Sequence, residues 1–168
     1  KLLRLWRPGA ALPMDDKDTI IVGAGPAGLA VAAVLQRKNA PFQILERNDS
    51  VGSTWRRHYD RLHLHTPKSQ SALPFMAFPR AFPRYPSRDQ VIEYLDDYAR
   101  VSDLRPQFGV DVVRCERCTD SRLGHRWNVH TRDGVRRARH RVIASGVKRV
   151  PHRPMGPGRE DFPGPGLR

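Results

Sequence analysis

The sequence predicts an α/β fold in which a parallel sheet carries an antiparallel β-meander, and three observations predict it. An apolar, β-branched stretch, Thr19–Val22, runs directly into Gly23-x-Gly25-x-x-Gly28. A helical pattern follows, and then a second apolar run, Gln43-Ile44-Leu45, that ends in the acidic Glu46. From Gly109 onward the period changes from helical to alternating, through Val110-Asp-Val-Val, Trp127-Asn-Val-His and Arg141-Val-Ile-Ala. The first two are the sequence form of a Rossmann-like dinucleotide-binding βαβ unit. The third is a short meander returning to a core strand.

Each part of the βαβ unit has a physical reason. Thr19–Val22 reads as a buried parallel strand because it lacks polar alternation. Gly23 permits the tight turn out of that strand, Gly25 lets the backbone approach a pyrophosphate, and Gly28 lets the helix lie close on the sheet. Pro26 stands in the first helical turn, where its missing N–H costs nothing. Leu29, Ala30, Ala32, Ala33 and Val34 supply small apolar contacts, and Asn39 or Ala40 ends the helix before Pro41. The helix N-terminus offers free N–H groups and a positive dipole end to phosphates. Glu46 follows Gly28 by eighteen residues, where a carboxylate can accept from a ribose. An acidic residue there favours an unphosphorylated ribose, hence FAD or NAD rather than NADP, and the spacing does not choose between those two.

Residues 48–86 read as irregular, punctuated by Pro67, Pro74, Pro79, Pro83 and Pro86. Their aromatic content, from Trp55 to Tyr85, argues for order. Gly52-Ser53-Thr54-Trp55 can approach a phosphate or a ring system; the alternative for Trp55 is simple packing in a turn. Arg61 to Lys68 alternates, placing His63 and His65 on one strand face as surface histidines rather than a metal pair. Ser87-Arg-Asp-Gln90 fits a capping box, and Val91, Tyr94, Leu95 and Tyr98 recur at helical spacing. Asp133-Gly134 signals a hairpin turn, and the core strand Arg141–Ser145 ends at Gly146.

The chain is long enough for one domain with a real core, and it has no apolar run of membrane-spanning length. Thirty Lys and Arg against seventeen Asp and Glu give a net charge of +13. The arginines are scattered over separate segments without interleaved aromatics, which argues for a solvated surface over a nucleic-acid interface. Cys115-x-x-Cys118 would point to opposite faces of a strand, so the pair reads as free thiols, expected in a reducing compartment and hence the cytoplasm. No metal site is expected. The boundaries expected are a loose leader at 1–17, a partial dinucleotide-binding domain at 18–147 and a proline-rich tail at 148–168.

Gly-Ala-Gly-Pro-Ala-Gly-Leu-Ala, Leu45-Glu46-Arg47, Gly52-Ser-Thr-Trp55, Tyr59-Asp-Arg-Leu-His-Leu-His-Thr-Pro-Lys68, Leu73-Pro-Phe, Phe82-Pro-Arg-Tyr-Pro-Ser, Tyr94-Leu-Asp-Asp-Tyr98 and Val142-Ile-Ala-Ser-Gly146 occur in that order. Over residues 18–164 this resembles the N-terminal FAD-binding part of class B flavin-containing monooxygenases, most of all the plant auxin-forming (YUCCA-type) enzymes and their bacterial relatives. The resemblance implies FAD as bound cofactor, NADPH as reductant, and oxygenation of a small-molecule substrate. It implies that Gly23, Gly25, Pro26, Ala27 and Gly28 hold the pyrophosphate and that Glu46, beside Arg47, holds the adenosine ribose. Gly52, Thr54 and Trp55 would lie along the FAD, His65, Ala144 and Gly146 would be further contacts, and Val113 would present its backbone to the adenine. It assigns no catalytic residue and no metal.

Three departures stand out. Ser53 replaces a glycine usual in the family's turn before the tryptophan. The Asn found near Thr66 in the amine-oxidising members is absent. Phe162-Pro-Gly164 opens like the family's Phe-x-Gly-x-x-x-His signature, but position 168 is Arg. The 168 residues contain no second GxGxxG for NADPH. The expectation is therefore a fragment, inactive alone, whose partner is the missing C-terminal part of its own chain. Two alternatives compete: a basic, non-catalytic remnant that binds nucleic acid or an acidic partner, and a flavin disulfide oxidoreductase using Cys115 and Cys118.

Overall fold

In the computed structural model, which describes residues 19–119 and 126–146, strand β1 (Thr19–Val22) is buried along its whole length. It sits at the centre of a parallel sheet, with β2 (Phe42–Leu45) on one side and β6 (His140–Ile143) on the other. The crossover between β1 and β2 is helix α1 (Pro26–Arg37), whose buried side is the Gly28, Leu29, Ala32, Ala33 face. The helix stops earlier than the sequence predicts. Lys38 is its C-cap, and Asn39 takes the left-handed conformation just beyond it. That is the usual role of a short polar residue at a helix exit.

Side chains alternate across β1 and so divide the core in two. Ile21 faces α1 and α4 (Arg88–Val101), joining Leu29, Ile44, Leu95 and Tyr98. Ile20 and Val22 face the other way, toward Leu45, Val110, Val112, Val129 and Ala138. The second cluster belongs to the meander, formed by β3 (Val112–Arg117), β4 (Trp127–Thr131) and β5 (Gly134–Ala138). The predicted α/β architecture is thus three layers: helices, parallel sheet and meander. Helix α4 carries the predicted capping box, with Ser87 and Gln90 bonded reciprocally.

Several predicted boundaries move, each for a local reason. β3 begins at Val112 rather than Val110 because the amide of Val110 donates instead to the Glu46 carbonyl at 2.9 Å. The segment around Gln107 covers the outer edge of β2, with Glu46 N donating to Gln107 O and Gln107 N to Ile44 O. The hairpin turn is one residue earlier than predicted: Thr131 pairs with Gly134, so Arg132 and Asp133 form the turn. The Thr131 hydroxyl holds it by donating to the Gly134 carbonyl at 2.9 Å. The core strand ends at Ile143, though Ala144 N still donates to Val22 O at 2.8 Å.

The proline-rich stretch has only two short helices, α2 (Ser53–Arg56) and α3 (Lys68–Ser71). Side chains bonded to backbone order the rest. Lys68 Nζ donates to the carbonyls of Pro79, Arg80 and Phe82. The Tyr94 hydroxyl accepts from Leu73 N at 2.8 Å and donates to Met76 O at 2.6 Å, and the Tyr98 hydroxyl donates to Pro74 O at 2.9 Å. Between these anchors Phe75 is held at φ 72°, with Arg37 stacked on its ring at 3.8 Å. The expected strand over 61–68 is absent; His63 makes one isolated bridge to Ser87, flanked by Leu64 N donating to Pro86 O at 2.9 Å and Arg88 N to Leu62 O at 2.7 Å. The expected leader at 1–17, the tail at 148–168 and the Phe162-Pro-Gly164 motif lie outside the described residues.

Candidate functional site

The C-terminal ends of β1, β2 and β6 open onto one cavity of about 620 Å3. This is the crevice where open α/β sheets bind their ligands. Five stretches wall it: 22–27 from the glycine-rich turn, 45–48 after β2, 52–58 through α2, 110–112 before β3, and 143–146 after β6.

The glycine-rich turn is shaped by close approach on one side and space on the other. A side chain at Gly28 would overlap the Gly23 carbonyl, so this glycine sets the distance between α1 and β1. Gly25, the N-cap of α1, has nothing within 4 Å of where a Cβ would stand. That open space lies in front of first-turn amides that no helical carbonyl can satisfy. The turn therefore fits an anionic group brought against backbone N–H groups at the positive end of a twelve-residue helix.

Glu46 is almost fully buried, at 7% exposure, yet it lines the cavity. Its Oε2 accepts from Ala24 N at 2.8 Å, inside the glycine-rich turn. Its Oε1 accepts from Asn48 N at 3.0 Å and from Asn48 Nδ2 at 2.6 Å, with Ser53 Oγ at 3.5 Å. The other amide hydrogen of Asn48 reaches Ser53 Oγ at 2.9 Å, and Asn48 Oδ1 accepts from Arg57 at 2.8 Å. Ser53, the residue that departs from the family's glycine, is thus part of the carboxylate's setting.

Eleven of the predicted site residues line the cavity: Gly23, Gly25, Pro26, Ala27, Glu46, Arg47, Gly52, Thr54, Trp55, Ala144 and Gly146. Trp55 does both things expected of it, packing partly on the core and walling the cavity. Three do not line it. Gly28 lies behind the wall as a spacer. Val113 is 54% exposed and outside the lining, while its neighbours Val110, Asp111 and Val112 form part of that wall. His65 is exposed and outside the lining. Sequence reasoning missed Asn48, Arg57, His58 and Asp111. A signal existed for Asn48: a turn-forming Asn-Asp-Ser run that begins two positions after the strand-ending acid.

Among the described residues no group of three or more His, Cys, Asp or Glu could hold a metal, and no helix is long and apolar enough to cross a membrane. Cys115 and Cys118 are half-exposed, form no disulfide and lie outside the cavity lining. Many of the scattered cations are matched locally, as in Arg56–Asp96 at 2.6 Å, Arg88–Asp60 at 2.6 Å and Arg132–Asp111 at 3.1 Å.

A glycine-rich turn, a helix N-terminus and a strand-ending carboxylate around one crevice define a Rossmann-like dinucleotide-binding fold. Comparison with known proteins agrees. The family model described as pyridine nucleotide-disulphide oxidoreductase matches residues 20–164. The probable indole-3-pyruvate monooxygenase YUCCA4 of Arabidopsis thaliana is 46% identical over 147 residues, covering 87% of this chain and 35% of that protein. The indole-3-pyruvate monooxygenase YUCCA1 of Oryza sativa subsp. japonica is 44% identical over 161 residues, covering 95% and 37%. The flavin-containing monooxygenase from Stenotrophomonas maltophilia superimposes with a TM-score of 0.74 at 30% identity, over 89% of this chain and 44% of that one. The chain belongs to the pyridine nucleotide-disulphide oxidoreductase family, and its likeness within that family is to the FAD-binding part of class B flavin-containing monooxygenases. It spans little more than a third of the length of these plant relatives.

Proposed function

We propose that this chain binds FAD and forms the flavin-binding part of an NADPH-dependent monooxygenase acting on a small molecule, with no complete reaction of its own. The observation that carries this is the convergence of the Gly23–Gly28 turn and the buried Glu46 carboxylate on one cavity. In this reading the α1 N-terminus and Gly25 hold the pyrophosphate, Glu46 takes the adenosine ribose, and Trp55 with Gly52 and Thr54 walls the cofactor. Bound FAD supplies the redox and oxygen chemistry; the residues described here bind it, orient it and exclude water. The likeness to indole-3-pyruvate monooxygenases supports a 2-oxo acid or a comparably small substrate for the longer protein. Free thiols and the absence of a spanning helix among the described residues support a cytoplasmic site. The domain boundaries near 18 and 147 belong to the same proposal.

Titration of the 168-residue chain with FAD, followed by flavin fluorescence, tests the reading. Saturable binding that Gly25→Ala weakens is expected, with no NADPH consumption by the loaded chain. A folded chain that takes up no FAD overturns it. A dithiol reaction is not favoured, because Cys115 and Cys118 stand apart from the cavity.

A further inference from the structure

The donors around Glu46 leave little room for a ligand. A carboxylate offers about four lone-pair sites, two on each oxygen. On Oε1 both are taken, by Asn48 N at 3.0 Å and Asn48 Nδ2 at 2.6 Å, and the Ser53 hydroxyl stands 3.5 Å from the same oxygen. On Oε2 one is taken, by Ala24 N at 2.8 Å. One site remains. A ribose presents two adjacent hydroxyls, so the carboxylate as set here can accept from only one of them.

Asn48 is held firmly in this position. Its Nδ2 spends both hydrogens, on Glu46 Oε1 and on Ser53 Oγ at 2.9 Å, and its Oδ1 accepts from Arg57 at 2.8 Å. Its backbone is anchored too, since Gly109 N donates to Asn48 O at 3.1 Å. Asn48 and Ser53 both line the cavity, so the restriction operates where the cofactor's sugar would lie.

We infer that Asn48 is a specificity-determining residue: its side-chain amide occupies Glu46 Oε1 and confines the carboxylate to a single ribose hydroxyl. The inference rests on the proposal that FAD binds this cavity with its ribose at Glu46. Asn48 makes affinity depend strongly on one hydroxyl and weakly on its neighbour. Removing both the amide and the Ser53 hydroxyl, while keeping the Asn48 backbone N–H, frees one site on Oε1. The carboxylate then has one site on each oxygen, and both hydroxyls can be bound.

The test compares three ligands on the full 168-residue chain: FAD, and FAD built on 2′-deoxyadenosine or on 3′-deoxyadenosine. The wild type is expected to lose about tenfold in affinity for one deoxy ligand and less than about threefold for the other, the size expected for one charge-assisted hydrogen bond. In the double variant Asn48→Ala, Ser53→Ala the second deoxy ligand is also expected to lose about tenfold. Equal losses for both deoxy ligands in the wild type overturn the inference without any variant. So does a folded Asn48→Ala, Ser53→Ala protein whose discrimination matches the wild type. A wild type that binds FAD normally but fails either comparison sinks this inference alone, whereas a folded wild type that binds no FAD sinks the proposed function with it.

Discussion

The backbone amide of Ala24 donates to Glu46 Oε2 at 2.8 Å, joining the glycine-rich turn to the end of the next strand across 22 positions of sequence. The carboxylate is therefore a structural staple, besides the ligand role proposed for it. Glu46→Ala leaves that buried N–H unsatisfied, along with the donors of Asn48, and is expected to cost about 1–3 kcal/mol of stability besides cofactor affinity. Chemical denaturation reads the first effect. An unchanged midpoint would mean that the turn is held without the staple.

Two alanine substitutions in the same motif should fail in opposite ways. Gly28→Ala drives a Cβ into the Gly23 carbonyl, which belongs to the backbone and cannot swing aside. Loss of soluble folded protein, or destabilisation of several kcal/mol of the order of about 3, is expected. Gly25→Ala meets nothing within 4 Å. It should fold with a melting temperature close to wild type and lose FAD affinity, since its methyl occupies the approach to the helix N-terminus. Equal stabilities for the two variants would contradict this division of roles.

Tyr94→Phe removes the hydroxyl that bonds Leu73 N and Met76 O. The turn at 73–76 then loses two of its anchors while Phe75 remains at φ 72°. A cost of about 1–3 kcal/mol is expected, together with faster amide exchange of Leu73. Protection of that amide as strong as in the wild type would count against the tyrosine as its clamp.

Burial pushes the phenols of Tyr94 and Tyr98 above the ordinary value of 10.0. For Tyr98 the neighbouring Tyr94 raises it further and Arg37 opposes. The folded state thus favours the neutral phenols. Their contribution is complete below pH 10.0 and declines as pH rises from there through the raised folded values. Stability measured between pH 9 and 12 should fall, with a smaller fall in Tyr94→Phe. An identical alkaline profile in that variant would remove Tyr94 from the account.

Replacing Cys115 and Cys118 together with Ser is expected to leave FAD affinity within about twofold, because neither side chain reaches the cavity. Loss of binding in that double variant, with folding intact, would reopen a cofactor-linked role for the pair.

The parts of the fold that were legible in the sequence are those set by short-range rules. Thr19–Val22, the Pro26 start, the Ser87 cap and the apolar face of α4 each depend on neighbours within a turn or two. The boundaries that shifted depend on distant partners: Val110 donates to Glu46, not to β4, and no local pattern announces that. At the site, the glycines and Glu46 follow from spacing, and Trp55 from its place beside Gly52. Asn48 and Arg57 were not legible as a network because their importance lies in the bonds they make to a carboxylate and to each other.

β6 supplies the last wall of the cavity, at residues 143–146, and pairs with β1 on the side away from β2. During synthesis the glycine-rich turn, the carboxylate and Trp55 all leave the ribosome roughly ninety or more residues before that wall exists. A nascent chain can form the β1–α1–β2 unit early, yet the crevice stays open along one flank until β6 docks. In the proposed function the flavin is therefore enclosed only after β6 docks, and a message cut before residue 143 encodes a crevice with no far side.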